Sequence, residues 1–137
     1  MGAWGWGAFD NDDSGDWLEE LQESADATLI ADALDVVVTA EEGELEVTEA
    51  SQGVAAAEIV AALRGQPPEE LDEMAQEWVA ANARLDVRDL VSVAREALQR
   101  IRTDSELKEL WDESKDRSQW YASLDDISRR LGAKVVR

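Results

Sequence analysis

Residues 54–63 read Val54-Ala55-Ala56-Ala57-Glu58-Ile59-Val60-Ala61-Ala62-Leu63, a single acid in an otherwise apolar run. A helix that is apolar nearly all round has no solvent face and belongs in the middle of a bundle. Its alanines allow neighbouring helices to approach closely. Thr48 suits the N-cap, so the helix is expected from Glu49 to about Leu63, with Arg64-Gly65 ending it. Glu58 then lies inside the protein. A buried carboxylate must be paired, hydrogen-bonded or neutral. The expected arrangement is a structural buried carboxylate at Glu58 that accepts hydrogen bonds from the N-terminal head, either from the Trp4 or Trp6 indole N–H or from the glycine-rich backbone amides.

On either side of this run the apolar spacing is again helical. A first helix is expected from Asp13 or Ser14 to about Ser24, carrying Trp17, Leu18 and Leu21. Ile30, Ala33, Leu34, Val37 and Val38 suit a second helix. The run Val36-Val37-Val38-Thr39, the Glu42-Gly43 turn and Glu44-Leu45-Glu46-Val47 also suit a hairpin, so residues 35–48 remain open between a helix end and a hairpin. The helical pattern covers more residues and is preferred. Beyond Pro67-Pro68, Pro68 suits a first helical position, with Leu71, Met74, Ala75, Trp78 and Val79 as the stripe and Asn82 as the stop. Asp86 is the expected cap of a helix carrying Leu90, Val93, Ala94, Ala97, Leu98 and Ile101. Thr103 with Glu106, and Asp116 with Gln119, read as capping boxes for two more helices. The last of these carries Trp120, Leu124, Ile127 and Leu131, and Gly132 stops it. The expected fold is all-α, a single-domain irregular bundle of about seven helices over residues 1–137. It comprises an extended Gly/Trp-rich strap (1–13), helices (14–132) and a frayed tail (133–137).

The charge narrows the functional classes. The 137 residues hold 32 acids and 13 bases, for a net charge of −19. Seven Asp and nine Glu precede the first base, Arg64, so residues 1–63 carry −16 and the remainder −3. Such a balance disfavours electrostatic binding to nucleic acid or to an anionic membrane. It suits a basic protein surface as partner. With no Cys and no His, disulfides, thiolate metal sites, Cys nucleophiles and the Ser-His-Asp triad are excluded. No apolar run approaches the ~18 residues of a membrane span. The start, MGAWGWGAFD, lacks the basic and apolar regions of a signal peptide, so a cytoplasmic location is expected.

The head Gly2-Ala3-Trp4-Gly5-Trp6-Gly7-Ala8-Phe9-Asp10-Asn11-Asp12, followed by Asp16-Trp17, is distinctive. It resembles the bacterial domain-of-unknown-function family numbered 4259, whose members look like G-x-W-G-x-G-x-F-x-N-D-x-x-x-D-W. Residues 55–63 and 105–111 are also similar to that family. The resemblance implies a stand-alone bacterial helical domain and implies no activity. It supports helix over hairpin for residues 26–40. Where members carry helix formers, this chain has Ser14-Gly15.

Three chemistries are open to the head and the acids of the chain. In the first, Trp4, Trp6, Asp10, Asp12, Asp13 and Asp16 form a partner-binding surface of flat anchors and charge. The protein is then a non-enzymatic interaction module, in the manner of immunity proteins or nucleic-acid mimics, without a cofactor. In the second, Asp10, Asp12, Ser14 and Asp16 follow the order of the first half of a calcium loop, with Gly15 at its sixth position, and hold Ca²⁺ or Mg²⁺. Leu21 stands where that loop needs a bidentate Glu. In the third, Glu20/Glu23 and Glu70/Glu73 place paired carboxylates on helix faces, as a Mg²⁺-dependent nucleotide hydrolase requires.

Overall fold

A computed structural model describes residues 7–132. These residues form seven α-helices and no β-strand: α1 (Asp12–Gln22), α2 (Thr28–Thr39), α3 (Val47–Leu63), α4 (Glu73–Ala81), α5 (Val91–Thr103), α6 (Glu106–Asp112) and α7 (Arg117–Leu131). A short 3₁₀ turn, Arg88–Leu90, leads into α5. The protein is an all-α bundle.

Helix α3 is the axis. From Gly53 to Ala62 every side chain is buried, and Ala55, Ala56, Ala57, Ile59, Val60 and Ala61 are wholly inaccessible. It packs against all six other helices, most extensively α2 and α5. Its end is a Schellman motif. Gly65 takes φ +84, its N–H donates to the Ala62 carbonyl, and the Gln66 N–H donates to the Ala61 carbonyl.

The outer helices each bury one stripe. Ser14, Trp17, Leu18 and Leu21 face inward from α1, with Asn11 as N-cap accepting from the Ser14 N–H at 2.9 Å. Ile30, Ala33, Leu34 and Val37 do so from α2. This i, i+3, i+4, i+7 set decides residues 28–39 as helix, because a strand would send Leu34 and Val37 to opposite faces. Chain reversal follows at Gly43, with φ +78. Residues 40–46 form a loop held by the α5–α6 junction rather than by a hairpin ladder. Arg100 donates to the Ala40 carbonyl and, at 2.7 Å, to the Glu41 carbonyl. Asp104 accepts from the Gly43 N–H, Glu106 accepts from the Val47 N–H, and the Glu106 N–H donates to the Leu45 carbonyl. Replacing Arg100 by Ala is expected to cost about 2–3 kcal/mol, as for bonds from a charged donor to half-buried carbonyls. Arg100→Lys should restore less than half, since an ammonium lacks the planar fork. Urea denaturation measures the loss, and faster amide exchange at Gly43 and Val47 would locate it.

Several helix boundaries correct the sequence reading. Pro68 begins no helix; Asp72 caps α4 instead, its Oδ1 accepting from the N–H groups of Met74 (2.9 Å) and Ala75 (3.3 Å). A side-chain acceptor satisfies orphan amides that a proline ring cannot. Asp86 binds the Arg88 N–H, two residues on, so its helix opens as a 3₁₀ turn and α5 proper begins at Val91. Thr103 ends α5 with its hydroxyl on the Gln99 carbonyl, leaving Ser105 to cap α6 by accepting from the Lys108 N–H. Ser105 has the extended backbone (φ −156, ψ 155) that a cap requires. Asp116 sits at the start of α7 but makes no side-chain cap.

Candidate functional site

The head residues 7–10 fold into a turn closed from both sides. The Asp10 N–H donates to the Gly7 carbonyl, and the Gly7 N–H donates to Asp10 Oδ2, both at 3.1 Å. A Cβ at position 7 would lie 2.5 Å from Asp10 Oδ2, so only glycine admits this carboxylate without a shift. Ala8 is buried and Phe9 packs against the core. Trp4 and Trp6 lie outside the described residues.

The turn forms one wall of a cleft of about 360 Å³, with Glu58 of α3, residues 70–72, and Asp126 and Arg130 of α7 around it. Glu58 and Arg130 meet in a bidentate pair. Arg130 Nη1 lies 2.6 Å from Glu58 Oε2, and Nη2 lies 3.0 Å from Oε1. Arg130 also donates through Nε to Asp126 (2.8 Å) and through Nη1 to the Gln66 carbonyl (3.0 Å). Glu58 is 5% exposed and Arg130 8%. Burial by itself would lower the Arg130 pKa; the hydrogen bonds and charge of Glu58 and then Asp126 outweigh it, and the pKa is raised. The partner that the described residues give Glu58 is therefore a guanidinium; the expected indole donors of Trp4 and Trp6 lie outside the described residues. Of the acids around the cleft, Asp10 is engaged on Gly7, Asp72 on its helix, and Glu58 and Asp126 on Arg130.

The proposed calcium-loop ligands do not converge. Residues 12–16 are already helical, so their side chains fan out at about 100° per residue. Asp12 and Asp16 are exposed, whereas Ser14 is wholly buried and its hydroxyl donates to the Ser51 carbonyl at 3.1 Å. Asp13 is half-buried beside them. Among the described residues no group of three or more acids is placed to hold a metal ion. The Glu70/Glu73 pair also fails as a helix face, because Glu70 precedes α4.

The ion pairs divide the molecule in two. Among the described residues, Glu58 is the one acid of the first 63 positions in a salt bridge. In the second half, seven of the eleven described bases pair with acids of that half. Arg88 pairs with Asp86, Arg100 with Asp104, Arg102 with Asp125, Lys108 and Arg117 with Asp112, and Arg129 and Arg130 with Asp126. Tyr121 donates to Asp112 at 2.8 Å and lies under the guanidinium groups of Arg102 and Arg117. Beside it Trp120 stacks on Trp111, with centroids 6.2 Å apart. The Lys108 hydrogen bond, followed by that from Tyr121, lowers the Asp112 pKa. Any stability this confers is complete above the ordinary carboxylate range and is lost as pH falls through the lowered value.

Arg130 escaped sequence reading, although a signal existed. Residue 130 stands three after Ile127 and beside Leu131, on the apolar stripe of α7, and a cation there demands a buried anion.

No curated protein and no solved structure matches the chain. A family model, Domain of unknown function (DUF4259), matches residues 2–123, a range that includes the head turn, α3 and its Glu58 but stops short of Arg130. Covering most of the sequence, that match makes the chain a member of the DUF4259 family.

Proposed function

We propose that the protein is a non-enzymatic interaction module of the bacterial cytoplasm whose acidic α1–α3 half engages a basic protein surface. One observation carries this reading. Of the sixteen acids before Arg64, fifteen have no cation within salt-bridge distance among the described residues, while seven of the eleven described bases of the other half pair with acids of that half, Arg130 with Glu58 as well. Unpaired charge of one sign repels itself and is relieved when a complementary surface covers it. It also steers association and partner choice more than it adds affinity. A nucleic-acid mimic and an antagonist of a basic toxin both have this property.

The test compares two fourfold neutralised variants of equal net charge. One carries Asp12→Asn, Asp16→Asn, Asp32→Asn and Glu49→Gln. The other carries Glu69→Gln, Glu77→Gln, Glu96→Gln and Glu109→Gln, all exposed in the second half. A partner cross-linked at low salt is purified and titrated against each. The first variant should bind about tenfold more weakly or worse and the second within about threefold of the parent, with affinity fading as salt is raised. Equal losses in both would overturn the reading.

A further inference from the structure

The described residues contain two large apolar side chains that remain exposed, Val36 at 45% and Leu110 at 55%. Leu110 stands on α6, in the half that holds the bases. Val36 lines a groove of about 320 Å³ between α1 and α2, above the N-terminal part of α3. Along α2 the groove is walled by Leu29, Ala33 and Val36, an i, i+4, i+7 ridge about 10 Å long at the helical rise. Trp17 of α1 also lines it; the ring is 2% exposed, and its indole Nε1 is buried with no acceptor among the described residues. One carboxylate comes from each surrounding helix: Glu20 from α1, Asp32 from α2 and Glu49 from α3. None of the three forms a salt bridge among the described residues.

We infer that this groove is the docking site for one amphipathic basic helix of a partner protein. The inference deepens the proposed function and rests on its basic partner. A ridge with a channel beside it accepts another helix by ridge-into-groove packing. A helix presents apolar residues at i, i+3/i+4 and i+7 to one face, the same repeat as Leu29, Ala33 and Val36. Arg or Lys flanking that seam meets a carboxylate on each side of the groove, so the charge complements the rim while the apolar seam covers Val36. Two turns of helix match the ridge.

The probe is a synthetic amphipathic helix with a Leu seam flanked by Lys and Arg, compared with a scrambled peptide of identical composition. The amphipathic peptide should bind the full chain at least about tenfold more tightly than the scrambled one. Val36→Arg should weaken it about tenfold or more, whereas Leu110→Asn, at the other exposed apolar residue, should leave it within about twofold. Both substitutions are at exposed positions, and circular dichroism of each variant confirms the fold before titration. Amide shifts on titration should cluster on α1 and α2. Equal binding of the two peptides, or indifference to Val36→Arg, overturns the groove. If the Asp12/Asp16/Asp32/Glu49 neutralisations still weaken binding in that case, the basic-partner reading stands without it. Concentration-dependent dimerisation abolished by Val36→Arg would instead assign the groove to a second copy and overturn the inference.

Discussion

Arg130→Ala should cost about 3–5 kcal/mol, the usual penalty for leaving a buried charge without its partner. For a chain of this size that is a fall of roughly 10–15 °C in Tm. The substitution removes four bonds at once: two to Glu58, one to Asp126 and one to the Gln66 carbonyl. It also strands the Glu58 carboxylate among the wholly buried residues of α3. Glu58→Gln should cost less, about 1–3 kcal/mol, because a carboxamide still accepts a hydrogen bond. The double variant Glu58→Leu/Arg130→Met should regain most of the loss, since apolar residues of similar volume often replace a buried pair without penalty. A thermal and urea double-mutant cycle decides. An Arg130→Ala protein as stable as the parent would show that the pair contributes nothing.

Gly53→Val should be the next largest loss, about 3 kcal/mol, because it forces extra atoms into a filled space. From sequence alone the opposite sign is expected, since glycine inside a helix is worth about 1 kcal/mol less than alanine. The packing reverses this. A Cβ at position 53 would stand 2.6 Å from Val37 Cγ2 and 3.2 Å from Ile101 Cδ1. Both neighbours are wholly buried, one on α2 and the other on α5, so neither has room to yield. Gly53→Ala should fall between the parent and Gly53→Val. Adding Val37→Ala to Gly53→Ala should recover part of the loss by opening the space the new methyl needs. Denaturation midpoints of the three variants measure this, and a stabilised Gly53→Ala would show that α2 and α5 can retreat.

These two positions mark what local sequence could and could not disclose. The central place of α3 was legible because ten consecutive residues contain one charge, and no surface helix tolerates that. That Glu58 needed a partner was legible for the same reason. Its identity was not, because the guanidinium lies 72 positions away and no periodicity links distant residues. Helix ends were misplaced where two capping groups stood close together. Thr103 and Ser105 offer the same hydroxyl, and only the backbone turn between α5 and α6 decides that Ser105 does the capping. The order of oxygens from Asp10 to Asp16 imitates a calcium loop, but a pattern of residue types carries no information about backbone direction. Asn11 caps a helix there, and Ser14 turns into the core. The groove beside Val36 was invisible because its walls come from three helices, each of which reads as an ordinary amphipathic segment.

The separation between Glu58 and Arg130 also has a consequence for synthesis. A ribosome delivers α3 and its carboxylate 72 residues before the guanidinium that neutralises it. Up to Arg64 the nascent chain carries sixteen acids and no base and repels itself, and Glu58 stays without its guanidinium until residue 130 is made. The domain is therefore completed from its C-terminal end. Arrival of α7 acts as the latch, since Arg130 bonds α3 through Glu58 only once residue 130 has been made.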